Sequence, residues 1–267
     1  KGTPRFIKSF NGVVMSLLTG GGGNNNYWHW LLDVIPRIHI LEKANIFDNN
    51  IDYYLFPDLM RKFQGETLDI LNIHHKKRLS SRHIRHLVAD EIIVTSHPYN
   101  LLNNPYIDSL QIPTWIVDYL KNKFLKICLK ETSLTSFPQK IFINRKDGHS
   151  ARYLTNNSEV EKNLKKFEFS SLTMSDFSFS DQVALFHNAE QIVGLHGAAF
   201  ANTIFCKPKT KVVEMRPDTA GDVIKNLVLS NNLVYFDITS KPKTINFNNQ
   251  QGDIEINMDL LNQIINS

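Results

Sequence analysis

The chain has 267 residues, 42% hydrophobic and 21% charged, a globular composition long enough for a large core in one or two domains. A net charge of +4 is too weakly basic to imply nucleic acid and is compatible with anionic ligands. The two cysteines, Cys128 and Cys206, lie far apart and form no disulfide framework or zinc spacing, and no apolar run approaches the roughly 18 residues of a membrane span. This suits a reducing compartment, and a disulfide-free lumenal protein would look the same; a cytoplasmic location is the expectation.

In chain order, VVMSLL (13–18) reads as a strand, and GGGG (20–23) with NNN as a short joint. NNNYWHWLLDVIPRIHIL (24–41) reads as a helix that is apolar nearly all round, and therefore buried. IDYYLFP (51–57) predicts a strand, 58–71 an amphipathic helix, and 86–96 one or two strands. Residues 97–112 carry loop signals, a helix is expected from about Pro113 to Leu129, and 130–139 is the best linker. Beyond it, strands at 140–145, 168–173, 211–215 and 233–238, and a buried strand turning into a small-residue helix over 191–205, alternate with helices at 156–167, 180–189 and 221–231. Ser158 and Glu161 have the spacing of a capping box. Strands alternating with helices predict an α/β fold with a parallel sheet, Rossmann-like over 139–240 and less clearly so in the first half.

Three stretches carry candidate chemistry. In the first helix His29, Asp33 and Arg37 interrupt the apolar run at steps of four. Buried unpaired ions cost several kcal/mol each, so these groups either pair or face a wet cleft. His29 and Asp33 share a face, a proton-handling arrangement in which either group could be the base; Pro36 is expected to kink the helix and turn Arg37 from the row. A structural His–Asp–Arg network is the plainer alternative. In IVGLHGAAFAN (192–202) an apolar strand ends at a His196-Gly197 turn, and small residues from Ala198 open a helix whose N-terminus could receive a phosphate. FINRKDGHSARYL (142–154) again ends a strand, here with Arg145 and Lys146 and with Arg152 nearby, cations suited to a diphosphate. Glu214, closing KVVEM, could accept hydrogen bonds from ribose hydroxyls.

Together these stretches resemble the family 61 glycosyltransferases, whose members carry an N-Y/F-x-H-W/F helix, an arginine-rich strand end and an H-G-A-A/G-L/F-A/T-N turn followed by a strand ending in Glu. The resemblance covers roughly residues 12–40 and 140–216, in the same order. It implies a GT-B-like fold, α/β with two Rossmann-like domains facing across a cleft. The corresponding segments are an acceptor-side domain over 1–130, a nucleotide-sugar domain over 131–240, and a tail and helix over 241–267 packing back on the first domain. It implies an inverting hexosyl- or pentosyltransferase, with a UDP-sugar as the expected donor and a glycan or glycolipid hydroxyl as acceptor. The chain looks more like the bacterial branch, which builds capsule or lipopolysaccharide, and this adds an expected peripheral contact with the inner membrane. Carried onto this sequence, His29 and Asp33 face the cleft as catalytic residues. Arg145, Lys146, Arg152, His196, Gly197, Ala198, Asn202 and Glu214 serve the donor; Asn26, Trp28 and Arg37 lie on the acceptor side.

No Asp-x-Asp occurs anywhere in the chain, so neither a metal nor any other cofactor is expected. The alternative is a sugar-nucleotide or glycan-binding module that has lost its activity, against which the intact His29–Asp33 row argues. HHKKRLSSRHIRH (74–86) could suggest a nucleic-acid or metal patch, but it lacks interleaved aromatics and reads as a solvated surface, so no nucleic-acid partner is expected.

Overall fold

The structure, a computed structural model, describes residues 6–19, 25–46, 50–99, 111–132, 137–145, 152–243 and 252–267. Strands β1 (Lys8–Ser16), β2 (Tyr53–Phe56), β3 (Arg78–Ser80) and β4 (Leu87–Val94) form a sheet in the order β3-β2-β1-β4. Strands β5 (Lys140–Ile143), β6 (Ser170–Leu172), β7 (Gln191–Leu195), β8 (Lys211–Pro217) and β9 (Val234–Ser240) form a second, in the order β6-β5-β7-β8-β9. Every pairing between these strands is parallel. The α/β reading therefore holds in both halves.

Each strand order reverses once, between β1 and β4 in the first sheet and between β5 and β7 in the second. At such a reversal neighbouring loops leave in opposite directions and open a crevice beyond the carboxyl ends of the strands, where ligands of open α/β sheets bind. The residues following β5 and β7, Asn144-Arg145 and His196-Gly197, stand at the second crevice.

The first helix, α1, joins Tyr27–His29, a widened π turn at Trp30–Val34, and Pro36–Lys43. Its cause is local: Pro36 has no N–H and its ring would press on the carbonyl four residues back. The chain widens instead, and Ile35 N–H reaches the Trp30 carbonyl at 3.1 Å. Helix α2 is Lys62–Ile70; α3 runs through Thr114–Leu120, a π turn Lys121–Leu125, and Lys126–Glu131. Helices α4 (Asn157–Lys166), α5 (Phe179–Asn188), α6 (Val223–Ser230) and α7 (Met258–Asn266) follow, with a 3-10 helix at Ala198–Phe205 between β7 and β8.

The largest apolar cluster belongs to both halves. Met15, Trp30, Leu31 and Phe56 of the first pack in it with Phe179, Val183, Ala201 and Phe205 of the second. α4 and α7 cover one face of the second sheet through Val160, Leu164, Leu261 and Ile265, and α5 and α6 cover the other through Leu185, Phe186, Ile224 and Val228.

Several expectations are corrected. The closing helix packs on the second sheet, not on the first half. The segment before it is held there by a parallel bridge between Leu154 and Ile254 and by Asn156, whose amide exchanges hydrogen bonds with Ile256. The expected Ser158–Glu161 box does not form, because α4 starts at Asn157 and takes Ser158 inside it, with no side-chain cap from Asn156; the second half's capping box is Ser178–Asp181 on α5. Residues 86–96 hold one strand, and the basic 74–86 segment contains β3. The 20–23 joint, most of the 97–112 loop and part of the 130–139 linker lie outside the described residues. Among the described residues no helix is long and apolar enough to cross a membrane.

Candidate active site

The row on α1 is a pair with a third group behind it. His29 Nδ1 lies 2.6 Å from Asp33 Oδ2, with the imidazole side chain 38% exposed and the carboxylate 12%. Arg37 is buried, and its Nε donates to the backbone carbonyl of Asp33 at 3.0 Å rather than to the carboxylate. The π turn has rotated it off the row. Burial holds the Arg37 guanidinium below its ordinary value, while the Asp33 charge opposes that shift.

Two neighbours from the segment after β4 complete this environment, and sequence reading missed both. Tyr99 is buried, and its hydroxyl donates to Asp33; burial, then the Asp33 charge and this bond, raise its pKa well above the usual phenol value. His97 lies within charge range of Asp33, Arg37 and His29. Burial lowers its pKa, Asp33 opposes, and Arg37 and His29 reinforce the lowering. Both residues sit in a stretch whose only sequence signal was that of a loop.

A second His–carboxylate pair occupies the other sheet. His196 follows β7, and its Nδ1 meets Glu214 Oε1, while Tyr235 on β9 donates to Glu214 Oε2 at 2.6 Å. Both members are buried, Glu214 completely. The sequence placed Glu214 at a strand end facing ribose. β8 in fact runs on to Pro217, so Glu214 sits mid-strand, paired with Gly194 on one side and Asp237 on the other. Its oxygens are taken from within the fold, and it anchors His196 beneath the turn. The buried imidazole of His196 likewise shapes the turn from inside.

Around that turn the cations gather. Arg145 Nη1 donates to the His196 carbonyl at 2.9 Å. A Cβ on Gly197 would stand 3.2 Å from that same nitrogen, so the glycine makes room for the guanidinium to lie against the backbone. Arg152 closes the other side of a cavity of about 160 Å3 lined also by Asn144, Arg145, Tyr153, Asn157 and Leu195. Its Nε and Nη1 are buried and meet no acceptor among the described residues. Burial, then the neighbouring Arg145 charge, lower its pKa to about 10, with Glu214 opposing. Lys146 lies outside the described residues.

Arg145 also lines a larger cleft of about 660 Å3 between the halves. Asn26, Tyr27 and Phe63 form its first-half wall, and Met174, Phe177 and the Gly197–Ala199 turn face them. That volume suits a small-molecule ligand. His29 and Asp33 do not line this cleft, contrary to the expectation that they face it directly; they stand on the turn of α1 that follows its wall. Asn26 caps α1, its Oδ1 accepting from Trp28 N–H at 2.9 Å. Trp28 packs against both the shared core and the cluster over the second sheet. Asn202 is fully buried, so it does not present its amide to the cleft: it accepts from the Tyr27 hydroxyl at 2.5 Å and donates to Gln182 Oε1 at 3.0 Å. The asparagine of the third motif is thereby bonded to the tyrosine of the first.

Among the described residues no group of three or more His, Cys, Asp or Glu is placed to hold a metal ion. No curated protein matches the chain. The family model described as Glycosyltransferase 61 matches residues 27–213, well over half of the chain; its span takes in α1 and the residues following β5 and β7, and ends in β8 one residue before Glu214. A glycosyltransferase of this kind works on a sugar donor and an acceptor, and the chain belongs to the glycosyltransferase 61 family.

Proposed function

We propose that the protein is an inverting, metal-independent glycosyltransferase that moves a hexosyl or pentosyl group from a nucleoside-diphosphate sugar, a UDP-sugar in the first instance, to a glycan hydroxyl. The observation that carries this reading is the meeting of Arg145 and Arg152 at the β5/β7 crevice, with two N–H groups of Arg152 buried and unpaired among the described residues. Two like charges held together in a half-buried site favour an anion between or beside them. A diphosphate meets that need and gains negative charge as the glycosidic bond breaks, so the same cations favour the transition state. Because the chain has no Asp-x-Asp, side chains rather than a metal are assigned this neutralisation.

The proposed chemistry on the acceptor side follows from the His29–Asp33 geometry. With Nδ1–H donating to Asp33, the other imidazole nitrogen, Nε2, is the one left to accept a proton. An acceptor O–H loses its proton to Nε2 as its oxygen attacks the anomeric carbon, and the bond from that carbon to the diphosphate oxygen breaks on the opposite side. Asp33 steadies the imidazolium, and Tyr99 and Arg37 hold Asp33. Two parallel sheets meeting at one cleft support a GT-B-like arrangement. The resemblance to the bacterial branch supports a place in capsule or lipopolysaccharide assembly at the cytoplasmic face of a membrane.

Calorimetric titration with UDP in EDTA tests the reading. Binding should persist without divalent ions, and Arg152→Ala should weaken it by about 1.5–3 kcal/mol, the scale of hydrogen bonds to charged groups. Binding that disappears in EDTA and returns with manganese would remove the metal-independent assignment. Unchanged affinity in Arg152→Ala would remove the diphosphate from this crevice.

A further inference from the structure

A buried line of hydrogen bonds crosses from the second half of the molecule to the start of α1, and neither the diphosphate nor the proton transfer uses it. Gln182 Nε2 donates to the carbonyls of Met174 at 2.9 Å and Phe177 at 3.3 Å. Gln182 Oε1 accepts from Asn202 Nδ2, and Asn202 Oδ1 accepts from the Tyr27 hydroxyl. Only one arrangement of protons satisfies this line. Two carbonyls can only accept, so they fix the glutamine amide; the glutamine fixes the asparagine; and the asparagine oxygen obliges the phenol to donate. Burial raises the Tyr27 pKa well above its ordinary value, which keeps the phenol a donor.

Both ends of the line matter to the site. Met174, Ser175 and Phe177 form a wall of the 660 Å3 cleft. Tyr27 stands two residues before His29 in the three-residue opening of α1, directly ahead of the π turn. So short a segment gains little rigidity from its own helical bonds. Beside the packing of Trp28, the bond to Asn202 gives it a directional tie to the other half.

We infer that Tyr27, Asn202 and Gln182 are positioning residues, which fix the His29–Asp33 pair relative to the donor cleft and pass the ordering of the 174–177 wall by a bound nucleoside diphosphate on to α1. This rests on the proposed function, since it takes the cleft to be the donor's. The line also gives a physical reason for the first and third motifs to occur together: 175 residues apart, they share one hydrogen bond.

The test is amide hydrogen exchange across α1, with and without saturating UDP, in the wild-type protein and in Tyr27→Phe, which removes one oxygen and keeps the ring. In the wild type UDP should slow exchange in the first two turns of α1 by about tenfold or more. In Tyr27→Phe that protection should fall to about twofold or less at a UDP concentration that calorimetry shows to saturate the variant. A merely structural tyrosine would speed α1 exchange by the same factor in free and bound protein, leaving the UDP effect intact, and that result would overturn the inference. So would UDP binding that leaves wild-type α1 exchange unchanged; in both cases the proposed function stands. If UDP, GDP, CDP and ADP all fail to bind, the proposed function falls and the inference falls with it.

Discussion

Two of the imidazole Nδ1–carboxylate pairs among the described residues stand in contrasting settings. His29–Asp33 lies on a helix turn, more than a third of the imidazole exposed. His196–Glu214 lies between strands of the second sheet, its side chains 4% and 0% exposed, with Tyr235 covering the far carboxylate oxygen. A buried pair with both carboxylate oxygens matched holds a turn in place. A pair with one face in solvent keeps a free nitrogen for proton transfer. Sequence type does not distinguish the two; depth does.

Substitutions at the two pairs should therefore fail differently. The largest effect is expected at His29→Ala: turnover should fall about 10²–10⁴-fold, the usual share of general-base catalysis, with thermal unfolding little changed. Glu214→Gln breaks a buried pair and should cost about 3–5 kcal/mol of stability, seen as a Tm lower by roughly 10 °C in thermal unfolding. If Glu214→Gln kept its stability but lost turnover, the buried pair would be chemical and the contrast would be wrong. Tyr99→Phe should be milder, lowering turnover by about tenfold, the worth of one hydrogen bond to a charged group, with UDP affinity unchanged by calorimetry. A Tyr99→Phe enzyme with wild-type turnover would show that Asp33 needs no such support.

The smallest effect concerns pH. His97 and His187 both have imidazole pKa values lowered by burial, with a hydrogen bond to the Phe205 carbonyl opposing the shift at His187. The unfolded chain therefore takes up protons first as pH falls. The stability present above the ordinary imidazole pKa of about 6.5 should decline below it until the lowered folded values are reached. His97→Gln should flatten part of that decline in unfolding curves recorded from pH 7.5 to about 5. An unaltered pH profile would mean that His97 titrates alike in the folded and unfolded chains.

Much of the fold could be read in the sequence because its strands are short apolar runs between punctuated helices. KIFI, QIVGL and KVVEM could only be buried parallel strands, and their order along the chain fixed the second half. β3 escaped notice because Arg78-Leu79-Ser80 carries one apolar residue in a basic stretch, and only its pairing with Tyr54–Phe56 makes it a strand. The π turn escaped because Pro36 announces a disturbance in a helix but not its form. The local settings of Arg145, Gly197 and His29 are enough to single them out as candidates. The roles of Glu214 and Asn202 could not be read this way, because depth in a sheet and a bond across 175 residues leave no local trace. Tyr99 gave no signal, since its meaning comes from the helix it packs against rather than from its neighbours in sequence.

The central claim, that the exposed pair does the chemistry and the buried pair builds the scaffold, is tested most directly by comparing sugar transfer in His29→Ala and His196→Ala, each assayed well below its own unfolding temperature. The account predicts a folded His29→Ala protein that binds UDP and has lost at least about 100-fold in turnover. It predicts a His196→Ala protein of lowered Tm whose remaining folded molecules still turn over. Wild-type turnover in folded His29→Ala would contradict it.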